Sequence, residues 1–321
     1  MKAIRVESHG GPEVLKLVEI PTPEPAEGQV LIRVEAVGIN PVETYIRNGG
    51  YIPVQLPYTP GSDAAGIVEK VGPGTKRFKP GARVYTTSTI TGSYAEFTLC
   101  NETTVFPLPQ ITSFAQGAAL GVPYATAYKA LFHRGRAMPG ETVLIHGGSG
   151  GVGTAAIQFA RAAGLIVFAT SSTDQGRELV IKNGAHLALN HASDSYLEEL
   201  KRITNGNGVN LIIEMLSNVN LGRDLTVLAK FGRVVVVGSR GKVEINPRDA
   251  MSRDASILAM TLFNSDLHDI QSIHAAIYAG LENKSLSPVI GKEFSLGEAR
   301  QAQEEVMKSG AHGKIVLVLG K

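Results

Sequence analysis

Over roughly the first third of the chain, short β-like apolar runs are punctuated by Pro and Gly, as in Gln29-Val30-Leu31-Ile32-Arg33-Val34, Ala65-Gly66-Ile67-Val68-Glu69-Lys70-Val71 and Ala82-Arg83-Val84-Tyr85. This texture predicts an irregular antiparallel β domain over residues 1–122. From 123 to 260 the pattern changes to strict alternation: apolar, β-branched runs at 143–146, 165–169, 187–189, 211–215 and 233–238 are separated by segments with helical spacing. Such runs fit parallel strands covered on both faces, and a βα series of this kind winds into a doubly wound sheet that binds ligands at the carboxyl ends of its strands. Residues 261–321 hold a helical run at 269–276 and close with the strand-like Lys314-Ile315-Val316-Leu317-Val318-Leu319. A closing strand needs a sheet, and this one is expected to return to the first domain, which makes that domain discontinuous. The expected class is α/β.

The first strand of the alternating region runs into Gly147-Gly148-Ser149-Gly150-Gly151-Val152-Gly153 and then a helix. Gly148-x-Gly150-x-x-Gly153 has the spacing of a dinucleotide cradle: one glycine for the tight turn, one for close approach to a pyrophosphate, one for helix packing. The helix start would face the phosphates with free N–H groups and its positive dipole end.

Composition narrows the classes. A chain of 321 residues that is 43% hydrophobic has ample core for about two domains. The formal net charge of +2 gives no global field to gather nucleic acid or anionic membrane. No signal peptide or membrane span is legible, so a cytoplasmic protein is expected. The single cysteine, Cys100, excludes an intramolecular disulfide and a multi-cysteine metal site, and its strand-like surroundings favour a buried structural thiol.

NAD-binding units place an acidic residue at the end of the second strand, where it reads the ribose hydroxyls. Here that strand ends Phe168-Ala169-Thr170-Ser171-Ser172, with no acid at its tip. Asp174 is read instead as a first-turn residue of the next helix, behind a Ser172/Gln175 capping box. The small hydroxyl residues leave room for a 2′-phosphate, so NADPH is the expected cofactor, with Arg177 as a candidate basic partner.

Five stretches carry a resemblance that spans essentially the whole chain: Gly38-Ile39-Asn40-Pro41-Val42-Glu43-Thr44-Tyr45-Ile46-Arg47, Pro57-Tyr58-Thr59-Pro60-Gly61-Ser62-Asp63, Gly150-Gly151-Val152-Gly153, Glu214-Met215-Leu216-Ser217-Asn218-Val219-Asn220 and Val237-Gly238-Ser239-Arg240-Gly241. The chain resembles zeta-crystallin-type quinone oxidoreductases, a zinc-free branch of the medium-chain dehydrogenase/reductase superfamily. The resemblance implies a GroES-like first domain, a Rossmann second domain and an active site in the cleft between them. It implies NADPH contacts from Tyr45, Thr126, Ser149, Gly150, Gly151, Val152, Ser172, His191, Asn220, Val237, Gly238, Ser239 and Arg240. Ser172 stands where relatives can have Gly, which leaves the backbone there less free.

Zinc alcohol dehydrogenases of that superfamily place Cys and His ligands in the loops that here carry Asn40 and Ser62, so catalytic zinc is not expected. What remains is metal-free reduction of an acceptor that is already electron-poor, which asks the protein mainly to align rings. Asn40 is a candidate hydrogen-bond donor to a developing oxyanion, and Tyr45 and Tyr51 are candidates to position a planar quinone or relay a proton. The alternative is NADPH-dependent reduction of α,β-unsaturated carbonyl compounds such as enones. A second alternative is AU-rich RNA binding or a structural crystallin role, although Lys76-Arg77-Phe78-Lys79 and Arg134-Gly135-Arg136 are short clusters of the kind that usually face solvent. The family implies a homodimer or homotetramer, with the apolar run at 257–263 as a candidate edge strand.

Overall fold

The computed structural model describes residues 1–193 and 195–320. The chain divides into two compact units, one of residues 1–122, 277–309 and 313–321, the other of residues 123–276 and 310–312. The second crossing falls at 276/277, inside the long helix Leu267–Glu282, rather than at the expected 260/261. Residues 261–276 thus lie with the second unit. The periodicity of this helix is continuous across the crossing, so no break in pattern marks it.

In the first unit, β1 (Lys2–Arg5) and β2 (Lys16–Glu19) form a small antiparallel pair. The main sheet takes β3 (Gln29–Gly38), β4 (Asp63–Val71), β5 (Arg83–Thr86), β6 (Phe97–Asn101) and β7 (Val105–Pro107), all paired antiparallel. Cys100, on β6, is fully buried, and burial pushes its thiol up to about 12, so the structure makes it a packing residue.

The second unit contributes β8 (Thr142–Ile145), β9 (Ile166–Thr170), β10 (Leu187–Leu189), β11 (Val209–Glu214), β12 (Leu228–Val236) and β13 (Ser256–Ala259). They form one parallel sheet in the order β10-β9-β8-β11-β12-β13. The order turns at β8, so chain ends leaving β8 and β11 diverge there, the place where doubly wound sheets hold ligands. Val143, Leu144 and Ile145 are completely buried, which is why the run reads as continuously apolar.

Beyond the second unit come β14 (Ile290–Ser295) and β15 (Lys314–Val318). β15 pairs antiparallel with β3, Val316 opposite Gly38, and β14 lies parallel beside it. Val34, Val37 and Leu317 share one core cluster with Leu296 and Ala302, so late and early segments bury a common apolar face. Among the described residues no helix is long and apolar enough to cross a membrane.

Candidate functional site

In the second unit, the glycine loop leaves β8 through His146 and enters the helix Gly151–Ala162. The left-handed turn is made by Gly147, at φ 59°, and not by Gly148 as the motif spacing suggested. Gly147 N–H donates to Thr170 Oγ1 at 3.1 Å and Gly148 N–H to Thr170 O at 2.7 Å, which ties the loop to the tip of β9. Gly153 packs as expected: a Cβ there would stand 2.2 Å from Gly147 O and 2.6 Å from Gly148 Cα, both backbone. At Gly150 an added Cβ would meet nothing closer than 3.5 Å, so the loop is open where a phosphate would approach. No side chain caps the helix, so its first N–H groups are left for a ligand.

Around this loop the second unit gathers most of the sequence candidates at the carboxyl ends of its strands. Ser149 is buried, with its hydroxyl 3.1 Å from that of Ser171. Ser172 is half-buried just beyond β9. The helix that follows is capped by Thr173, whose hydroxyl accepts from Gly176 N–H, so the Ser172/Gln175 box does not form. Asp174 does open the helix, with its side chain 89% exposed and paired with Arg177. The Arg177 guanidinium also reaches Ser171 O at 3.4 Å, which brings a cation to the tip of β9. His191 lies beyond β10, largely open to solvent but with its Nδ1 turned inward, 3.0 Å from Thr170 Oγ1; partial desolvation of the ring, helped by the charges of His146 and Arg177, lowers its pKa.

Asn220 donates to Glu214 Oε1 at 3.2 Å. The loop after β12 is fastened to the same end of β11: Val237 N–H and Gly238 N–H donate to Glu214 O, at 2.8 and 3.3 Å, and Gly238 O accepts from Ser217 N–H. Ser239 and Arg240 are exposed, and Arg240 N–H donates to Asn218 Oδ1 at 2.9 Å. Thr126 is buried in the helix Gly121–Tyr128, whose Tyr124 hydroxyl donates to Gln158 at 2.8 Å.

In the first unit, Asn40 is the N-cap of the helix Pro41–Arg47, with Pro41 in the first-turn position that tolerates a missing N–H. Its amide is fully engaged: Nδ2 donates to Asp63 Oδ2 at 2.9 Å, with Glu43 Oε1 at 3.3 Å and Gly38 O at 3.4 Å also in reach, while Oδ1 accepts from Lys314 Nζ. Both hydrogens of the Asn40 amide are thus directed at buried acceptors of the first unit. Tyr45 is half-buried on the same helix, and Tyr51 is half-exposed beyond it.

Sequence reasoning missed the rest of this network. Asp63 accepts from Val122 N–H with both oxygens at 3.0 Å and lies 3.9 Å from Lys314 Nζ. Burial raises the pKa of Asp63 and lowers that of Lys314, each opposed by the other's charge. Burial likewise lifts Glu43 to about 7, against the pull of the Tyr94 hydroxyl and Lys314. The only signal in the sequence was an acid and a lysine inside otherwise apolar strands. The second unit hides a similar group in His146, Glu214 and Asp224.

A catalytic metal does not fit at Asn40 and Ser62. Neither residue offers a thiolate or imidazole, and a lysine ammonium already sits on the Asn40 carbonyl oxygen.

Residues 26–110 match the family described as alcohol dehydrogenase GroES-like domain, and residues 151–277 the one described as zinc-binding dehydrogenase. Together with the cradle they define a two-domain, dinucleotide-dependent dehydrogenase/reductase of medium-chain type. The human quinone oxidoreductase is 51% identical to this chain over 322 residues, 99% of this chain and 98% of the human one. The structure of the Escherichia coli quinone oxidoreductase complexed with NADPH is 29% identical and covers 99% of this chain and 100% of its own, with a TM-score of 0.89. An NAD-dependent alcohol dehydrogenase is 26% identical, with complete coverage of both chains and a TM-score of 0.93. The chain belongs to the zeta-crystallin-type quinone oxidoreductases of the medium-chain dehydrogenase/reductase superfamily.

Proposed function

We propose that this protein is an NADPH-dependent quinone reductase that works without a metal. The observation that carries the cofactor choice is the tip of β9, where buried Thr170 and Ser171 replace the ribose-reading acid and Arg177 reaches Ser171 O. NADPH supplies a hydride; the protein's own work is to bind and orient. The Gly147–Gly153 loop and its helix start hold the pyrophosphate, Ser172 and Arg177 the 2′-phosphate, and His191 and Asn220 the adenosine and ribose groups. Val237, Gly238, Ser239 and Arg240 line the path along β12, and Thr126 lies toward the nicotinamide. Tyr45 and Tyr51 position a flat acceptor and exclude water from it. The similarity to the human quinone oxidoreductase supports quinone over enone as the substrate class.

The deciding experiment measures NADPH and NADH oxidation side by side with an ortho-quinone and an enone. Turnover of the quinone with NADPH preferred is expected; no quinone turnover with either cofactor would defeat this reading. Removing the guanidinium in Arg177→Ala should raise the NADPH KM about ten-fold and leave NADH use unchanged, the scale of a charge-assisted hydrogen bond. We also infer a cytoplasmic homodimer or homotetramer in which β13 pairs with its symmetry mate. β13 is the sheet's edge, and Ile257 is 41% exposed along it. A monomer in sedimentation equilibrium would remove that assembly.

A further inference from the structure

His146, Glu214 and Asp224 are buried together in the second unit, each at the end of a different element: just after β8, at the end of β11, and at the end of the helix Ser217–Asp224. His146 Nε2 donates to Asp224 Oδ1 at 2.8 Å and lies 3.4 Å from Glu214 Oε2. Among the described residues neither that Glu214 Oε2 nor Asp224 Oδ2, both buried, has a hydrogen-bond partner. Two ionised carboxylates beside one imidazolium would leave a net negative charge in the core, at a cost of several kcal/mol. A proton on Glu214 removes that charge and gives its neighbour a donor.

The remaining atoms of Glu214 point outward along the chain, to the loops that the proposed function assigns to NADPH. Oε1 accepts from Leu216 N–H and from Asn220 Nδ2, and the backbone carbonyl accepts from Val237 and Gly238. His146, the residue that steadies this carboxyl, is followed at once by the Gly147 turn. No atom of Glu214 is exposed, so it acts through these loops and does not touch the ligand.

We propose that Glu214, braced by His146 and Asp224, is a positioning residue for the dinucleotide, fixing at one point the turn that carries Asn220 and the loop of residues 237–240. The proposal rests on the NADPH reading above. Burial raises the Glu214 pKa, His146 opposing and Asp224 adding to the rise. The other groups around the trio are Tyr196, whose ring meets His146 edge-on, Arg223 over that ring, and His191 with Arg177 beyond it. Deprotonation of Glu214 above neutral pH therefore places a negative charge under an anionic ligand, and NADPH affinity falls with it.

The test uses the full chain, with fluorescence titration of NADPH from pH 6 to 9 and steady-state kinetics on an ortho-quinone. Glu214→Ala should weaken NADPH binding about ten-fold or more, with kcat at saturating NADPH within about three-fold of wild type. Glu214→Gln keeps the acceptor oxygen and can donate to Asp224, so it should bind within about three-fold of wild type and lose the fall in affinity above neutral pH. A Glu214→Ala variant with lowered thermal stability but unchanged NADPH affinity would show a merely structural role and overturn the proposal. So would an undiminished fall in affinity in Glu214→Gln, which decides the matter even if Glu214→Ala does not fold. One equivalent of divalent metal in the purified protein, lost on substitution, would also overturn it, because the trio would then be a metal centre. Should wild type bind NADH rather than NADPH, the cofactor choice fails and the same titrations with NADH still judge Glu214.

Discussion

Each unit buries a charged network, and the two are built on opposite plans. The first closes over distance: Lys314, from the last strand, meets Asn40 and Asp63 from the first sixty-odd residues of the chain. The second collects a histidine and an acid from the ends of neighbouring strands and a second acid from the end of the helix Ser217–Asp224, and among the described residues no lysine or arginine is in hydrogen-bond contact with its carboxylates. In the first, a lysine ammonium balances the acids, with Asn40, Val122 N–H and the Tyr94 hydroxyl as further partners; in the second, a titratable ring supplies the counter-charge, so that charge itself depends on pH. The lesson is that burial alone does not define a charge's role. What matters is whether its partner can give up the proton.

The comparison breaks first at Lys314. Lys314→Met should lose about 3–5 kcal/mol of stability in urea unfolding, because Asp63 and Glu43 lose their buried counter-charge. A loss under about 1 kcal/mol would mean that Asp63 simply takes up a proton at little cost, and the two networks would be alike.

The next effect separates the units by pH. His146 is held up at about 9 from 6.5 because the Asp224 and Glu214 carboxylates outweigh the burial that disfavours its charge. A raised pKa contributes stability that is complete below the unfolded value and disappears as pH climbs through the folded one. From His146 the second unit should therefore lose roughly 3 kcal/mol between pH 6.5 and 9. Glu43, lifted from 4.5 to about 7 by burial, gives the first unit a window from pH 4.5 through 7 that Glu214, also lifted to about 7, shares in the second, so only the loss between pH 7 and 9 belongs to the second unit alone. Above pH 7 the hydrogen-exchange opening energy should go on falling for peptides of β8 and level off for peptides of β3; a parallel fall in both would erase the distinction. Glu43→Gln should flatten the first window while leaving the second in place.

The smallest effect is expected at the exposed pair of Asp174 and Arg177. Asp174→Ala should leave the urea midpoint unchanged and the NADPH-to-NADH preference intact, since a solvated ion pair contributes little. A swing toward NADPH would mean that Asp174 reads a ribose after all.

What could be read in the sequence was the local part of the molecule. The β8 run, the glycine spacing and the acid-free tip of β9 are short-range patterns, and their physics is completed within a few residues. The closing strand was legible because the apolar, strand-like run at residues 314–319 demands a sheet. The partners of Asn40 were not, because its amide meets Asp63 and Lys314, residues 23 and 274 positions away. Gly147 was passed over for Gly148 because a motif spacing does not say which glycine adopts positive φ. His146 and Glu214 stood inside quoted motifs, yet nothing local tells a strand-end histidine that it will face two acids. The crossing at residue 276 escaped because a helix passes through it without a change of period.

The place of Lys314 also sets an order of events during synthesis. The second unit is almost contiguous, and its sheet can close once residue 259 has left the ribosome. The first unit, begun earlier, has to wait: until residues 314–318 arrive, β3 lacks its neighbour and Asp63 its cation. The half of the molecule that is made first is the half that finishes folding last.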